Sequence, residues 1–189
     1  LEGVAPDQTV NDWLEHGAWM TEGEKIEVPE GMSAREWLAQ YYFEHYSKEY
    51  DVDLASFCTR SEIMDSILYS LFPNLAPWAG FHPNLTYRMK PYGDNHEMCT
   101  MEIIFLMRYP DGAERPADAP VHKLDKDQLF SEAPGLEGGI GRVFDQDFSN
   151  LKMVQKGLKN LKSKEVVLAN YQEIRIRHFH QTLDKYLNA

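Results

Sequence analysis

The side chain with the clearest potential for chemistry is Asp147, a carboxylate inside a segment of helical periodicity. At 3.6 residues per turn it shares one face with four apolar side chains, whereas the lysines of the segment fall elsewhere; the four are Leu151, Val154, Leu158 and Leu161. A carboxylate on a buried apolar stripe needs a partner, and a cation is one kind of partner. The pattern therefore makes Asp147 the first candidate site residue.

A helix start would give Asp147 and its neighbour Asp145 a simpler role. Acidic residues in a first helical turn cap free N–H groups and complement the helix dipole, which is the commoner use of such residues. Only one of the two can be the cap, and Asp147 is the one in phase with the apolar stripe. Capping and a buried partner both remain open at this point.

Other residues capable of chemistry do not form a recognisable site. His178 and His180 are two residues apart, which on a helix is a rotation of roughly 200°, so they cannot share a metal ion. The glycine-rich segment 135–141 lacks the Lys-Ser/Thr of a phosphate-binding loop and is typical of a flexible connection. No serine or cysteine lies in a nucleophile elbow. The residues alone predict no complete metal site.

Composition favours one soluble domain. The chain has 189 residues, of which 43% are hydrophobic, enough for one sizeable core. Its net charge of −11 argues against nucleic acid or anionic membranes as partners, and no apolar run is long enough to span a bilayer. Cys58 and Cys99 form neither a disulfide framework nor a thiolate metal cage, which predicts a reducing, cytoplasmic location.

The helices that must position Asp147 are indicated by capping patterns. Residues 1–31 carry scattered prolines and glycines, with only a short amphipathic piece around Val10, Trp13 and Leu14, and predict a loop-rich entry segment. Capping boxes at 33–36 and 59–62 predict a helix running to about residue 49 and a second, short helix. Two further helices close the chain: the one bearing Asp147, and one that starts near Asn170, whose side chain is expected to cap it.

The middle of the chain predicts an antiparallel sheet. A strand-like run covers 67–72, and alternation over 85–90 and 98–109, with turn residues at 92–95, predicts a hairpin. One face of its second strand is entirely apolar and is expected to rest on a core; its members are Cys99, Met101, Ile103, Phe105 and Met107.

Several segments together resemble one family, the catalytic domain of the large (α) subunit of Rieske-type non-haem iron ring-hydroxylating oxygenases. They occur in the family's order over roughly residues 60–187: Phe72-Pro73-Asn74 with Trp78, Tyr87-Arg88 with Pro91-Tyr92-Gly93-Asp94, Asp145-Gln146-Asp147 with Val154-Gln155-Lys156-Gly157-Leu158, and Tyr171-Gln172-Glu173 with Arg175 to His178. The combination is far more specific than any single segment.

The resemblance implies an α+β, helix-grip (Bet v1-like or START-like) fold, with a curved antiparallel sheet around a long C-terminal helix. It implies a mononuclear iron(II) held by two histidines and one carboxylate, which leaves positions open for O2, and it places that carboxylate on Asp147. The implied reaction inserts oxygen from O2 into an aromatic or related apolar substrate. Four residues are expected to border the substrate pocket: Phe72, Asn74, Trp78 and Phe144.

The resemblance also implies partners, and the sequence departs from the family's pattern in one respect. Electrons would come from NAD(P)H through a reductase or ferredoxin and a [2Fe–2S] cluster, within a homotrimer, with or without a β subunit. The family's helical Asp-x-x-His-x-x-x-x-His segment and its Cys-x-His and Cys-x-x-His cluster ligands are absent from the sequence. We therefore expect residues 1–189 to be a single catalytic domain, the C-terminal fragment of a subunit, that is metal-free and inactive alone.

Two alternatives belong to other functional classes. A non-catalytic helix-grip module would use Phe72, Trp78 and the surface of residues 101–107 to bind an apolar small molecule. An oligomer-forming scaffold would show only shallow, filled space beside Asp147. Cluster ligands and two histidines upstream in the gene would favour the oxygenase over both.

Overall fold

The structure, a computed structural model, describes residues 3–16, 25–81, 84–137, 139–163 and 165–189. The helices are α1 (Pro6–His16), α2 (Ala34–Tyr50), α3 (Arg60–Met64), α4 (Gly139–Asn160) and α5 (Ile174–Leu187), with short 3-10 helices at Leu54–Ser56 and Phe130–Glu132. The strands are β1 (Ile67–Leu68), β2 (Leu75–Ala79), β3 (Leu85–Tyr92) and β4 (Asn95–Phe105).

The N-terminal helices form the best-buried core of the described residues. Val10 and Leu14 of α1 are fully buried against one face of α2, together with Leu54, Ile63 and Phe81. Both predicted capping boxes are present, since Ser33 and Glu36, and Thr59 and Glu62, exchange their side-chain and backbone hydrogen bonds. The two helix starts predicted from these capping boxes are therefore confirmed.

The prediction of a loop-rich segment over residues 1–31 was wrong for Pro6–His16, which is helical. Proline suits the first helical position, and burying Val10 and Leu14, one turn apart, stabilises the helix through tertiary contact. The backbone of Ile26 is tied to α1, because it exchanges two 2.9 Å hydrogen bonds with the Asn11 side chain.

The sheet of the described residues is antiparallel with strand order β1-β2-β3-β4. The predicted hairpin is confirmed, with Leu85 opposite Phe105 and Tyr87 opposite Ile103. Its second strand ends at Phe105 rather than Tyr109. Beyond that point the chain no longer pairs with β3. The Arg108 guanidinium donates hydrogen bonds to the carbonyls of Gly80 and Phe81 at 3.0 and 2.9 Å, and it lies 4.1 Å over the Phe81 ring.

The apolar face of the hairpin is covered only in part. Met101 and Ile103 are half-buried, whereas Cys99, Phe105 and Met107 are exposed, so this face is covered only around its middle. The opposite face carries an ion cluster in which Glu102 pairs with Arg88 and Lys90.

The two C-terminal helices differ from their predicted starts. α4 begins at Gly139, so the segment 135–141 is not a loop throughout, and α5 begins at Ile174. Asn170 does not cap α5; it accepts a 2.9 Å hydrogen bond from Arg177 instead. The four antiparallel strands and the 22-residue α4 confirm the α+β class and are consistent with a helix-grip fold. No helix among the described residues is long and apolar enough to cross a membrane.

Candidate functional site

An aromatic cluster fixes α4 on the apolar face of the sheet. Phe144, only 2% exposed, lies with ring centroids 6.4 Å from Tyr87, 6.3 Å from Phe105 and 5.6 Å from Phe130. Tyr87 and Phe105 point to the same face because Phe105 pairs with Leu85, two residues from Tyr87. We call these four residues the aromatic anchor. It sets the rotation of α4 about its own axis, and Asp147 follows Phe144 by three residues.

Asp145 is used by another helix. Its carboxylate accepts hydrogen bonds from the backbone N–H of Phe130 (2.6 Å), the backbone N–H of Ser131 (3.3 Å) and the Ser131 hydroxyl (2.6 Å). The hydrogen bond from the Ser131 hydroxyl, and then those from the backbone, hold the pKa of Asp145 below its usual value. The expectation that Asp145 or Asp147 caps its own helix was wrong, because α4 starts six residues before Asp145. Asp145 instead caps the 3-10 helix at Phe130–Glu132 from outside.

Gly141 allows the same region to pack closely. It is buried in the first turn of α4, where a Cβ atom would lie 2.9 Å from the Cα of Ser131 and overlap the carbonyl oxygen of Leu136. The segment before α4 is therefore held to the helix by the hydrogen bonds of Asp145, and it packs closely on the helix at Gly141.

Asp147 itself is exposed at the edge of this packing. The predicted helical phase holds, because α4 spans Asp147 and the stripe up to Leu158, but the predicted burial was wrong. Leu151, Val154 and Leu158 are 54, 56 and 44% exposed, and Leu161 lies beyond the helix end. The helix touches the sheet with the neighbouring side that bears Phe144, so Asp147 and Val154 lie on its flank.

The surroundings of Asp147 include Tyr87 and, through it, Trp78. Burial raises the pKa of the Tyr87 hydroxyl. The nearby Trp78 N–H offsets part of this rise and the Asp147 carboxylate adds to it, so the phenol stays protonated at neutral pH. Trp78 meets Tyr87 edge-on at 6.2 Å with its indole N–H near the Tyr87 hydroxyl, but the buried Nε1 makes no hydrogen bond of standard geometry within the described residues. An unpaired buried donor is costly, and a ligand oxygen would satisfy it.

The four predicted pocket residues are divided between two places. Trp78 and Phe144 both lie against Tyr87. Phe72 packs on α5 instead, 5.5 Å from Phe179 and 4.9 Å from Tyr186. The pocket as a whole remains a prediction, centred in this structure on Trp78 and Phe144.

Asn74 has a structural use. Its side-chain amide donates to the carbonyl of Met89 at 2.8 Å, and the Met89 N–H donates to the Asn74 carbonyl at 2.9 Å. These bonds extend the pairing of β2 with β3, so any contact between Asn74 and a ligand would compete with the sheet.

The donor set near Asp147 is incomplete. Among the residues that the structure describes, no three His, Cys, Asp or Glu side chains are grouped so that they could hold a metal ion. A single carboxylate does not fit iron(II), which is bound in oxygenase sites by two histidines and a carboxylate.

Two contributors were missed by sequence reasoning. Tyr87 gave the signals of an alternating strand residue and of a family segment, neither of which indicates its contact with Phe144, and Phe130 lies in a stretch with no periodicity. Their roles depend on contacts with Phe144 across 57 and 14 positions of sequence, which local patterns do not contain.

Comparison with known proteins gives one match. A family described as ring hydroxylating alpha subunit (catalytic domain) matches residues 4–189. No curated protein and no solved structure matches the chain at a significant level.

Proposed function

Because the chain belongs to the family of ring hydroxylating alpha subunit catalytic domains, we propose that it is part of an oxygenase acting on an aromatic or related apolar substrate. In this proposal oxygen from O2 is inserted at a mononuclear iron(II) bound by two histidines and one carboxylate. The parent enzyme is of the Rieske type, with a [2Fe–2S] cluster supplied with electrons from NAD(P)H through a ferredoxin or reductase.

Asp147 is the proposed carboxylate ligand. The observation that carries this assignment is the contrast between two acids two residues apart. Asp145 accepts three hydrogen bonds, whereas the carboxylate of Asp147 makes no hydrogen bond or ion pair within the described residues and lies next to the aromatic anchor. A carboxylate held on a rigid helix, with its oxygens unused, is suited to take a ligand from outside.

The other ligands are proposed to come from outside the described residues. Since these residues do not fit an iron ion alone, the chain by itself is expected to bind iron(II) weakly and to be inactive. We also propose that residues 1–189 form a single catalytic domain. It would act in the cytoplasm, as the two unpaired cysteines suggest, within a homotrimer, with or without a β subunit.

The chain's own residues would hold the substrate. Trp78, Tyr87 and the half-buried Met101 and Ile103 present an apolar, largely aromatic surface beside Asp147, which would exclude water from an aromatic ring. The unpaired Trp78 N–H would orient an oxygen atom of substrate or product. This surface has few polar atoms, so the shape of the substrate rather than its hydrogen bonds would decide which molecule binds.

The test uses the intact oxygenase. Asp147→Ala is expected to abolish bound mononuclear iron and turnover while leaving the visible spectrum of the cluster unchanged. The matched control is Gln146→Ala, an equally exposed neighbour on α4, which is expected to keep both iron and activity. Retained mononuclear iron in Asp147→Ala would refute the assignment.

A non-catalytic module that binds an apolar molecule is the alternative, and iron content distinguishes it from the oxygenase. It predicts that the intact wild-type protein contains no mononuclear iron and still binds an aromatic ligand. The incomplete donor set among the described residues is the observation in its favour.

A further inference from the structure

Gln155 has a contact that the proposed function does not use. Its side-chain amide donates to the backbone carbonyl of Glu97 at 2.9 Å, and one turn later Lys159 Nζ lies 2.6 Å from the Glu97 carboxylate. Two side chains of α4 thus hold one residue of β4. The hydrogen bond from Lys159, together with its charge, lowers the pKa of the Glu97 carboxyl, so the pair is ionic at neutral pH.

These contacts give α4 a second attachment to the sheet. At one end the aromatic anchor joins Phe144 to Phe105, and at the other Gln155 and Lys159 reach Glu97. Phe105 and Glu97 are eight residues apart, about 27 Å of strand. Phe144 and Lys159 are fifteen apart, about 22 Å of helix. Because the start of α4 meets the end of β4 and the end of α4 meets its start, α4 runs antiparallel to β4, and the similar lengths allow both contacts on one face.

The apolar side chains between the two attachments are only partly buried. Leu151 lies midway between Phe144 and Gln155 and within about 40° of both around the helix axis, so it faces the sheet. It is nevertheless 54% exposed. On the strand, Met101 and Ile103 have the parity of Phe105 and are only half-buried. Apolar side chains of helix and strand between the two attachments therefore remain partly exposed, with Asp147 beside them on α4.

We propose that Gln155 and Lys159 are positioning residues that clamp the C-terminal half of α4 to Glu97 and so limit the size of the apolar ligand accepted beside Asp147. The ligand part of this proposal rests on the proposed function. The clamp itself does not, and the two are tested separately.

The first experiment measures the clamp without a ligand. Spin labels are placed on the outward sides of strand and helix, at Thr100→Cys and Met153→Cys, in a background without the native cysteines. Double electron–electron resonance then reports the distance between α4 and β4. The unclamped variant Gln155→Ala/Lys159→Ala is expected to broaden the distance distribution at least about twofold, whereas Lys156→Ala, on the exposed side of α4, leaves it unchanged.

Exchanging the two charges distinguishes loss of the clamp from a general folding defect. Glu97→Lys alone is expected to broaden the distribution, and Glu97→Lys/Lys159→Glu is expected to restore the wild-type width, because the ion pair is re-formed while Gln155 still binds the same backbone carbonyl. An unchanged width in the unclamped variant, or no rescue by the exchange, would overturn the clamp.

The second experiment measures ligand size in the intact oxygenase. Phenanthrene is followed by its own fluorescence and toluene by competition. Removing the clamp is expected to lower the ratio of the Kd for phenanthrene to that for toluene by about fivefold, the equivalent of one hydrogen bond. An unchanged ratio overturns the role in size selection even if the label distances change. Failure of the proposed function would appear elsewhere, as the absence of mononuclear iron from the intact wild-type protein.

Discussion

Replacing Gly141 by alanine is expected to destabilise the protein by moving α4. An added Cβ at this position would lie 2.9 Å from the Cα of Ser131 and overlap the carbonyl oxygen of Leu136. Both neighbours are backbone atoms, so no side-chain rotation relieves the clash. The first turn of α4 must therefore move away from residues 131–136.

Two opposing contributions determine the size of this effect. Alanine is favoured over glycine within a helix by up to about 1 kcal/mol. Forcing an extra carbon into a close-packed site costs about 1–3 kcal/mol. We expect the clash to dominate, because it involves backbone, with a net loss of roughly 1–2 kcal/mol and a fall in Tm of roughly 2–8 °C for a chain of this length.

Gly157 provides the matched control in the same helix. A Cβ there has no atom within 4 Å, so only the helix propensity changes, and Gly157→Ala should stabilise the protein by about 0.5–1 kcal/mol. Urea unfolding of the wild type and both variants, followed by circular dichroism, compares the two substitutions directly. If Gly141→Ala proves as stable as the wild type, the close approach of α4 to residues 131–136 is wrong.

Further predictions concern the same region. Phe144→Ala should cost about 3–5 kcal/mol of unfolding free energy, because it empties the centre of the aromatic anchor, and Phe144→Leu should cost less; equal, small losses in urea unfolding would contradict this. Asp145 has a lowered pKa when folded, so its contribution to stability is present at neutral pH and is lost as the pH falls through the folded pKa. The difference in unfolding free energy between the wild type and Asp145→Asn should therefore shrink between pH 7 and pH 3, and a constant difference would argue against these hydrogen bonds.

The parts of the fold that could be predicted are those with local signals. Ser33 and Thr59 form their capping boxes within four residues, and the hairpin follows from alternation on both sides of the turn at Gly93. These patterns need no knowledge of distant contacts. The family, predicted from short segments in a fixed order, is likewise confirmed over residues 4–189.

The errors arose where distant parts of the chain decide the structure. The helix at Pro6–His16 owes its stability to burial against α2, which a composition rich in proline and glycine does not indicate. The start of α4 was placed too late because glycines are poor helix formers. At Gly141 the absent side chain is what permits close packing. Periodicity gave the correct face for Asp147, but it cannot show which side of a helix meets the sheet.

The position of Asp147 is set by the contacts of its neighbours on α4, Phe144 and Asp145, rather than by contacts of its own. Phe144 fixes one side of α4 on the sheet, and Asp145, two residues before Asp147 and therefore on nearly the opposite side of the helix, is held by Phe130 and Ser131. Turning Asp147 towards the sheet would require α4 to rotate by roughly 60°, which would break the hydrogen bonds of Asp145 and withdraw Phe144 from its cluster. The helix is thus locked in a rotation that keeps the carboxylate on the flank of α4 rather than against the sheet. Any partner of Asp147 must approach it there, since α4 cannot bring the carboxylate to the partner.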